Sequence, residues 1–354
     1  MWPKNALTDR LNLKWPIFQA PMGEHSTPEL ASAVSNAGGL GGLGMWGFSD
    51  KEAAKRIAGF RQQSSGGLNV NYPLWPASGS LANIGASMRA AIQMLYDAKG
   101  KGPTPNPETV ESAVDPDHLA MLLSETPEVV SFHFGLPCQN VIDALKDAGI
   151  YILCSATTVA EAKELEFRGV DCIIAQGNEA GSHQGAFLPS DERSKPSLLS
   201  LLPQVVDSVS VPVIAAGGIS DGRGIAAALM LGASGVQLGT AFLRCPEANL
   251  SDAHRMALRN AKDDSTIITK VVSGRPARVI PNRLVTELEN THAEPLPFPA
   301  QWELTMPLEE DDDHDFLGLL AGQSVAMTRE MPASALVNLL VEETKRCLNL
   351  TING

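Results

Sequence analysis

Short runs of apolar residues recur along the chain, and each run ends in glycine or in a polar residue. In most of the runs the residues are continuously apolar rather than alternating with polar ones, which is typical of strands buried on both faces. The eight runs predict eight strands, which cover residues 16–20, 39–43, 68–71, 129–133, 151–154, 172–175, 213–216 and 235–238.

Helical patterns fill most of the intervals between these runs. Apolar residues share one face over residues 27–37, and residues 221–231 are rich in alanine and leucine. Residues 158–168 begin with Thr158 as an N-cap, and Glu161 follows three residues later, the spacing of a capping box. Strand–helix alternation repeated eight times predicts an α/β fold, a TIM (β/α)8 barrel.

Two intervals break this alternation. Residues 73–128 are too long for one crossover and carry an insertion after the third strand, in which residues 103–116 are predicted to be loop. Residues 245–354 extend beyond the eighth strand. In this extension, the acidic run within residues 303–315 is predicted to be a solvated loop. Residues 324–350 are periodic enough for one or two helices that close the barrel.

These interruptions predict a second, smaller domain. Barrel active sites lie at the C-terminal ends of the strands, and the insertion leaves from such an end. We therefore expect the extra segments to cover the barrel mouth. The predicted barrel comprises residues 1–72 and 117–244, and the predicted cap comprises residues 73–116 and 245–323.

The composition narrows the class of protein. Of 354 residues, 44% are hydrophobic and 19% are charged, which excludes intrinsic disorder. The net charge of −13 argues against nucleic acid or an anionic membrane as the main partner. The five cysteines show no CxxC spacing and predict free thiols in a reducing compartment. Because the sequence has no signal-peptide pattern and no apolar run of ~20 residues, we expect a cytoplasmic protein. We expect it to be a monomer or a homodimer.

Two glycine-containing loops follow neighbouring predicted strands. The strand at residues 213–216 runs into Gly217 and Gly218, and the next strand ends at Gly239 and Thr240. Glycines let a backbone approach a ligand closely and aim N–H groups at it. Because barrels commonly hold phosphate after strands seven and eight, the paired loops favour phosphate binding over simple tight turns.

Two histidines lie at predicted strand ends. His183 is in a glycine-rich loop after residues 172–175, and His133 closes the fourth strand. An imidazole there could donate a hydrogen bond or exchange a proton. The alternatives are a loop residue without a role for His183 and a core histidine bonded to a backbone carbonyl for His133. Asn71, at the end of strand three, could hydrogen-bond the amide edge of a heteroaromatic ring.

Taken in order, the motifs resemble the class I nitronate monooxygenases, once called 2-nitropropane dioxygenases. The resemblance covers nearly the whole chain, and the set of motifs is specific although no single one is. The matching segments are residues 17–22, 35–41, 130–135, 176–183, 215–224, 239–242, 273–278, 281–283 and 321–323.

The resemblance implies an FMN enzyme that needs no metal. It would oxidise alkyl nitronates, typified by propionate 3-nitronate, with O₂ to a carbonyl compound and nitrite, and nitroalkanes are further candidate substrates. The flavin would take one electron, and the radical pair would meet O₂ within the site. His133 and His183 would face the substrate, and the glycine loops with Thr240 would bind the FMN phosphate. The implied cofactor-binding residues are Met22, Asn71, Gln176, Gly181, Gly217, Gly218, Gln237, Gly239 and Thr240.

The sequence departs from the family pattern at two places. Family members carry tyrosines and a lysine after a Pro-Leu-Pro segment, whereas Phe298 and Trp302 follow it here. Ser182 stands where the family has the second glycine before the histidine. An apolar pocket of this kind suits a carboxylate-bearing substrate such as propionate 3-nitronate less well. The resemblance therefore indicates the reaction class more firmly than it indicates which nitronate is the substrate.

Three other functions remain open on the sequence. The first is an FMN-dependent enoyl-thioester reductase driven by NAD(P)H, although no separate dinucleotide fingerprint is present. The second is a phosphate-sugar isomerase or lyase without flavin, and the third is a non-catalytic flavin sensor. Reduction of the flavin by NAD(P)H would indicate the reductase, and a colourless purified protein would indicate the isomerase or lyase. A yellow protein without turnover would indicate the sensor.

Overall fold

Eight parallel strands form the barrel in the computed structural model, which describes residues 4–75, 81, 85–107, 112–189, 195–310 and 312–352. Residues 108–111 of the predicted loop and Asp311 of the acidic run lie outside the described residues. The barrel strands are β1 Ile17–Gln19, β2 Gly41–Gly44, β3 Leu68–Pro73, β4 Val129–His133, β5 Tyr151–Ala156, β6 Cys172–Gln176, β8 Val213–Ala216 and β9 Gly235–Leu238.

The strand order closes the sheet on itself. The order is β1-β9-β8-β6-β5-β4-β3-β2, with every neighbouring pair parallel. A parallel bridge between Phe18 and Leu40 joins the two ends. All eight predicted strands and the predicted (β/α)8 barrel are confirmed. Their apolar side chains are almost fully buried on both faces, which explains why the sequence shows continuous rather than alternating apolar runs.

Helices follow most strands and cover the outside of the barrel. The longest, α14, packs on α9 and α2, as expected for a closing helix. The helices are α1 Ala6–Arg10, α2 Pro28–Asn36, α3 Asp50–Arg61, α4 Ala86–Ala98, α5 Pro116–Glu125, α6 Gln139–Asp147, α7 Val159–Phe167, α8 Leu198–Val206, α9 Gly222–Met230, α10 Thr240–Leu243, α11 Asp252–Asn260, α12 Arg283–Asn290, α13 Ala300–Thr305 and α14 Ala333–Ile352.

A second apolar cluster lies outside the barrel core. It joins α4, from the insertion after β3, to α12 and α13 of the C-terminal extension, through residues such as Met88, Leu288 and Leu304. A small antiparallel sheet accompanies it, in the order β10 Ile267–Thr269, β11 Ala277–Val279 and β7 Ser182–His183. The insertion and the extension therefore share one core, although they are far apart in sequence.

The acidic run of the extension is only partly a solvated loop, so that prediction was wrong for its first part. The chain forms α13 and then a 3₁₀ turn, Met306–Leu308, before the acids begin. Glu310 is exposed, but Glu309 is half-buried, and desolvation raises the pKa of Glu309 to about 7. The charge count alone does not indicate that one of these carboxyl groups points inward.

All five cysteines are free, and Cys154, Cys172 and Cys245 are buried. Across the described part of the chain, no helix combines the length and apolarity that crossing a membrane requires.

Candidate active site

A cavity of about 950 Å³ opens at the C-terminal ends of the barrel strands. Residues from most strand ends, from the loop after β6 and from the C-terminal extension line it. All eleven residues singled out from the sequence are among the lining residues: Met22, Asn71, His133, Gln176, Gly181, His183, Gly217, Gly218, Gln237, Gly239 and Thr240.

The loops after β8 and β9 form a cradle of backbone amides. Gly217 and Gly218 have φ values of 111° and 68°, a region that residues with a side chain rarely adopt. In the described chain, the amides of Gly218, Gly239 and Thr240 donate to no protein acceptor. Such free N–H groups at the end of a cavity suit the oxygens of a phosphate, so the cradle fits the phosphate of FMN.

The carboxamide side chains around the cavity differ in which of their polar atoms already have hydrogen-bond partners in the protein. Both polar atoms of Gln176 have a protein partner, because its Nε2 donates to the carbonyl of His183 at 3.1 Å and its Oε1 accepts from the amide of Gly185 at 2.7 Å. Asn71 donates to the carbonyl and hydroxyl of Ser131. The buried Oε1 of Gln237 has no partner among the described residues. Gln237 is therefore ready to accept a hydrogen bond from a ligand, whereas Gln176 fixes the loop that carries His183.

His183 is held in place by the small antiparallel sheet. β7 pairs with β11 at His183 and Ala277, and Ser182 before it has a φ of 66°, a conformation that glycine adopts more readily. The Nε2 of His183 lies 2.8 Å from the Oγ of Ser273. Burial in the cavity wall, with help from nearby His133 and Arg275, lowers the pKa of His183 to about 3. The imidazole is therefore neutral at physiological pH.

His133 has both ring nitrogens occupied by protein groups. Its Nε2 lies 3.2 Å from the carbonyl of His183, and its Nδ1 lies 3.0 Å from the Oγ of Ser155. Because a carbonyl only accepts, Nε2 carries the proton and Nδ1 accepts from the serine hydroxyl. Burial lowers the pKa of His133 to about 4. His133 thus supports the backbone of His183. In His183 itself, Nδ1 has only a long contact of 3.5 Å to the Oγ of Ser182, so Nδ1 is freer than Nε2.

Glu161 braces the same loop from behind. It is 1% exposed, and its carboxylate accepts from the amide and hydroxyl of Thr157 and from the amides of Phe187 and Leu188. The predicted N-cap is confirmed, because Thr158 Oγ1 accepts from the amide of Glu161. The capping-box interpretation of the Glu161 side chain was wrong, because this carboxylate serves Thr157 and the loop instead.

Replacing Glu161 with Ala is expected to destabilise the fold, because four buried or half-buried donors would lose their acceptor. Each unpaired buried donor costs about 1–3 kcal/mol, and relaxation of the loop would recover part of the sum. We expect a loss of ~3 kcal/mol or more, measured by chemical or thermal unfolding. Lys163→Ala, an exposed change on the same helix, is the control. Equal stability of the two variants would contradict this role.

Phe298 and Trp302 line the cavity, as the sequence predicted, whereas Trp46, Phe134 and Glu309 line it without having been predicted. Trp46, Phe134, Phe298 and Trp302 form an aromatic wall near His183, and Glu309 adds a carboxyl group. Trp46 lies just beyond β2, at a strand end where barrel sites are built, so its position was an available signal. Nothing in the sequence pattern points to the inward orientation of Glu309.

A (β/α)8 barrel whose strand ends enclose an amide cradle and a neutral histidine has the architecture of a barrel enzyme. The family model described as nitronate monooxygenase matches residues 4–343. A probable nitronate monooxygenase of Staphylococcus aureus (strain JH9) is 36% identical over an alignment of 357 positions, which covers 98% of this chain and 99% of that protein.

Solved structures agree with the family match. The structure of nitroalkane oxidase from Streptomyces ansochromogenes has a TM-score of 0.91 and 37% identity, covering 98% of this chain and 100% of that chain. FabK from Thermotoga maritima has a TM-score of 0.77 and 26% identity, with 99% of each chain covered. The chain belongs to the nitronate monooxygenase family and is an enzyme of that class. Enzymes of this family depend on flavin in general.

Proposed function

We propose that this protein binds FMN and oxidises alkyl nitronates with O₂ to a carbonyl compound and nitrite. The observation that supports this most is a neutral histidine in the same cavity as a cradle of free amides, within a chain of this family. When bound, FMN supplies the redox chemistry, and the protein orients it and controls what reaches it.

In this proposal the glycine loops hold the phosphate. The free amides of Gly218, Gly239 and Thr240 donate to its oxygens, and the positive φ of Gly217 turns the backbone toward the ligand. Gln237 accepts a hydrogen bond from the bound cofactor through its unpartnered Oε1. Met22, Asn71 and Gly181 line the ring or its side chain, and Gln176 acts through the loop it fixes.

His183 acts on the nitro group in two ways that its neutral state allows. The Ser273 hydroxyl can donate to Nε2, and Nδ1–H then donates to the nitronate oxygens. Alternatively, Nε2–H donates to Ser273, whose own proton turns toward the carbonyl of Arg275, 3.3 Å away. Nδ1 then has a lone pair that can accept the carbon proton of a neutral nitroalkane. The nitronate formed in that step pairs with the imidazolium.

The division of the chain follows the shared core of the insertion and the extension. We propose that residues 1–72 and 117–244 hold the cofactor, with closing helices from 324–350. Residues 73–116 and 245–323 form the cap that brings Phe298 and Trp302 to the substrate. A cytoplasmic location and a monomeric or homodimeric state remain part of the proposal, with a small nitronate and O₂ as the only reactants.

The direct test is aerobic turnover by the purified, flavin-loaded protein. Nitrite and a carbonyl product should accumulate with ethyl or propyl nitronate, and O₂ should be consumed. Extracted flavin should be FMN by chromatography. A protein that carries flavin but produces no nitrite from any simple nitronate would contradict the proposal.

The pH dependence should reflect the low pKa of His183. With a neutral nitroalkane, a base with the ordinary histidine pKa of ~6.5 would lose its neutral form, and hence activity, as pH falls below that value. Since the folded-state pKa of His183 is about 3, we expect kcat/KM to be retained down to about pH 5. Glu309, with a pKa of about 7, faces the same cavity, so the profile should also be measured in Glu309→Gln. An acidic limb near 6.5 that persists in Glu309→Gln would contradict the assignment.

A further inference from the structure

An aromatic wall surrounds the histidine that acts on the nitro group. The ring centroids of Phe298, Trp302 and Phe134 lie 5.3, 5.8 and 6.0 Å from that of His183. Trp46 completes the wall, with its centroid 3.8 Å from that of Trp302. These four aromatic side chains all line the cavity, so a substrate whose nitro group reaches His183 has its carbon body against aromatic rings.

The wall is supported from behind, so its shape is set before a substrate arrives. Trp75 is 6% exposed, and its ring packs edge-on against Phe298 at 4.9 Å and against Trp46 at 5.8 Å. Edge-to-face pairs at such centroid distances are favourable beyond the area they bury. The rings come from the strand ends and from the C-terminal extension, and their packing against one another holds these separate parts of the chain together at the wall.

The described residues that line the cavity offer no cation to a second negative charge on the substrate. Among the described lining residues there is no lysine and no arginine, and the acidic ones are Glu24, Glu309 and Glu310. Arg275 lies behind the wall: its guanidinium stacks on Phe134, 3.8 Å from the ring centroid, and donates to the carbonyl of Ala186. Arg275 does not line the cavity, so a carboxylate on the substrate body would be desolvated with no cation to pair with among the described lining residues.

We propose that the enzyme selects nitronates whose carbon body is uncharged and apolar, arylalkyl nitronates above all, and discriminates against those that carry a carboxylate. This specificity rests on the proposed function, because it assumes that nitronates are oxidised in this cavity. The nitro group itself meets His183, and only the rest of the molecule meets the wall.

The test compares kcat/KM for nitrite release from three nitronates made from 1-nitropropane, 3-nitropropionate and 2-phenylnitroethane. We expect the carboxylate-bearing nitronate to be at least ~10-fold poorer than the propyl nitronate, and the phenyl one to be about 10-fold better. Turnover of propionate 3-nitronate equal to or above that of propyl nitronate would overturn the specificity alone. No nitrite from any of the three would instead overturn the proposed function.

A pair of variants at one wall position tests the cause. Trp302→Lys places a cation in the wall and should raise the ratio of propionate 3-nitronate to propyl nitronate turnover by about 10-fold. Trp302→Leu removes the ring without adding charge and should lower only the preference for the phenyl substrate. Equal ratios in the two variants, each with full flavin content, would overturn the electrostatic argument. If Trp302→Lys does not fold, the Leu variant still tests the aromatic argument, and the wild-type ratios test the whole proposal.

Discussion

Replacing His183 with Asn is expected to lower kcat/KM for a nitronate by about 10- to 100-fold, since a hydrogen bond to a charged group contributes ~1.5–3 kcal/mol. For a neutral nitroalkane the loss should be larger, about 10²–10⁴-fold, because Asn cannot accept the carbon proton. The measurement is steady-state nitrite release from both forms of one substrate, with flavin content determined in each preparation.

His133→Asn is the matched comparison. Since both ring nitrogens of His133 bind protein groups, this variant should affect the two substrate forms by similar factors, through the position of His183. Rates within two-fold of wild type for His183→Asn would contradict the assignment of His183. Loss of nitroalkane turnover alone in His133→Asn would identify His133 as the base.

Gly218→Leu is expected to abolish FMN binding, because a Cβ at this position would lie 3.1 Å from the Cβ of Glu179, so the loop that carries the free amides would have to shift. The φ of 68° also disfavours any side chain, so strain has to be separated from loss of the phosphate site. Gly149→Leu is the control: its φ is 78°, and a Cβ there meets nothing within 4 Å. The readout is the ratio of flavin to protein absorbance after gel filtration. Full flavin content in folded Gly218→Leu would contradict the phosphate assignment.

The barrel could be predicted from the sequence because each of its strands is buried on both faces. That burial leaves a local signal, a short continuous apolar run, and the glycine pair at residues 217–218 marks the point where a strand turns toward the cavity. The two histidines and the paired glycine loops were found in the same way, because they lie at strand ends, which barrel geometry brings together. Met22, Gln176, Gly181 and Gln237 were assigned to the cofactor only through the family resemblance.

Contacts between distant segments left no such signal. β7 has only two residues, too few for a periodic pattern, yet it pairs with β11 and fixes His183. Glu161 has the spacing of a capping residue, but its carboxylate faces inward toward the amides of Phe187 and Leu188. The run of acidic residues predicted that Glu309 is solvated. That prediction failed because the direction of a side chain depends on packing, which the local sequence does not reveal.

If this enzyme oxidises nitronates, its bound flavin should be reduced by a nitronate in the absence of O₂. Flavin-loaded protein is mixed without O₂ in a stopped-flow instrument with propyl nitronate, with NADH and with NADPH, and flavin bleaching is followed by absorbance. We expect rapid bleaching by the nitronate and much slower bleaching by either nicotinamide. Rapid bleaching by NADPH, with none by the nitronate, would contradict this expectation and favour the enoyl-thioester reductase alternative.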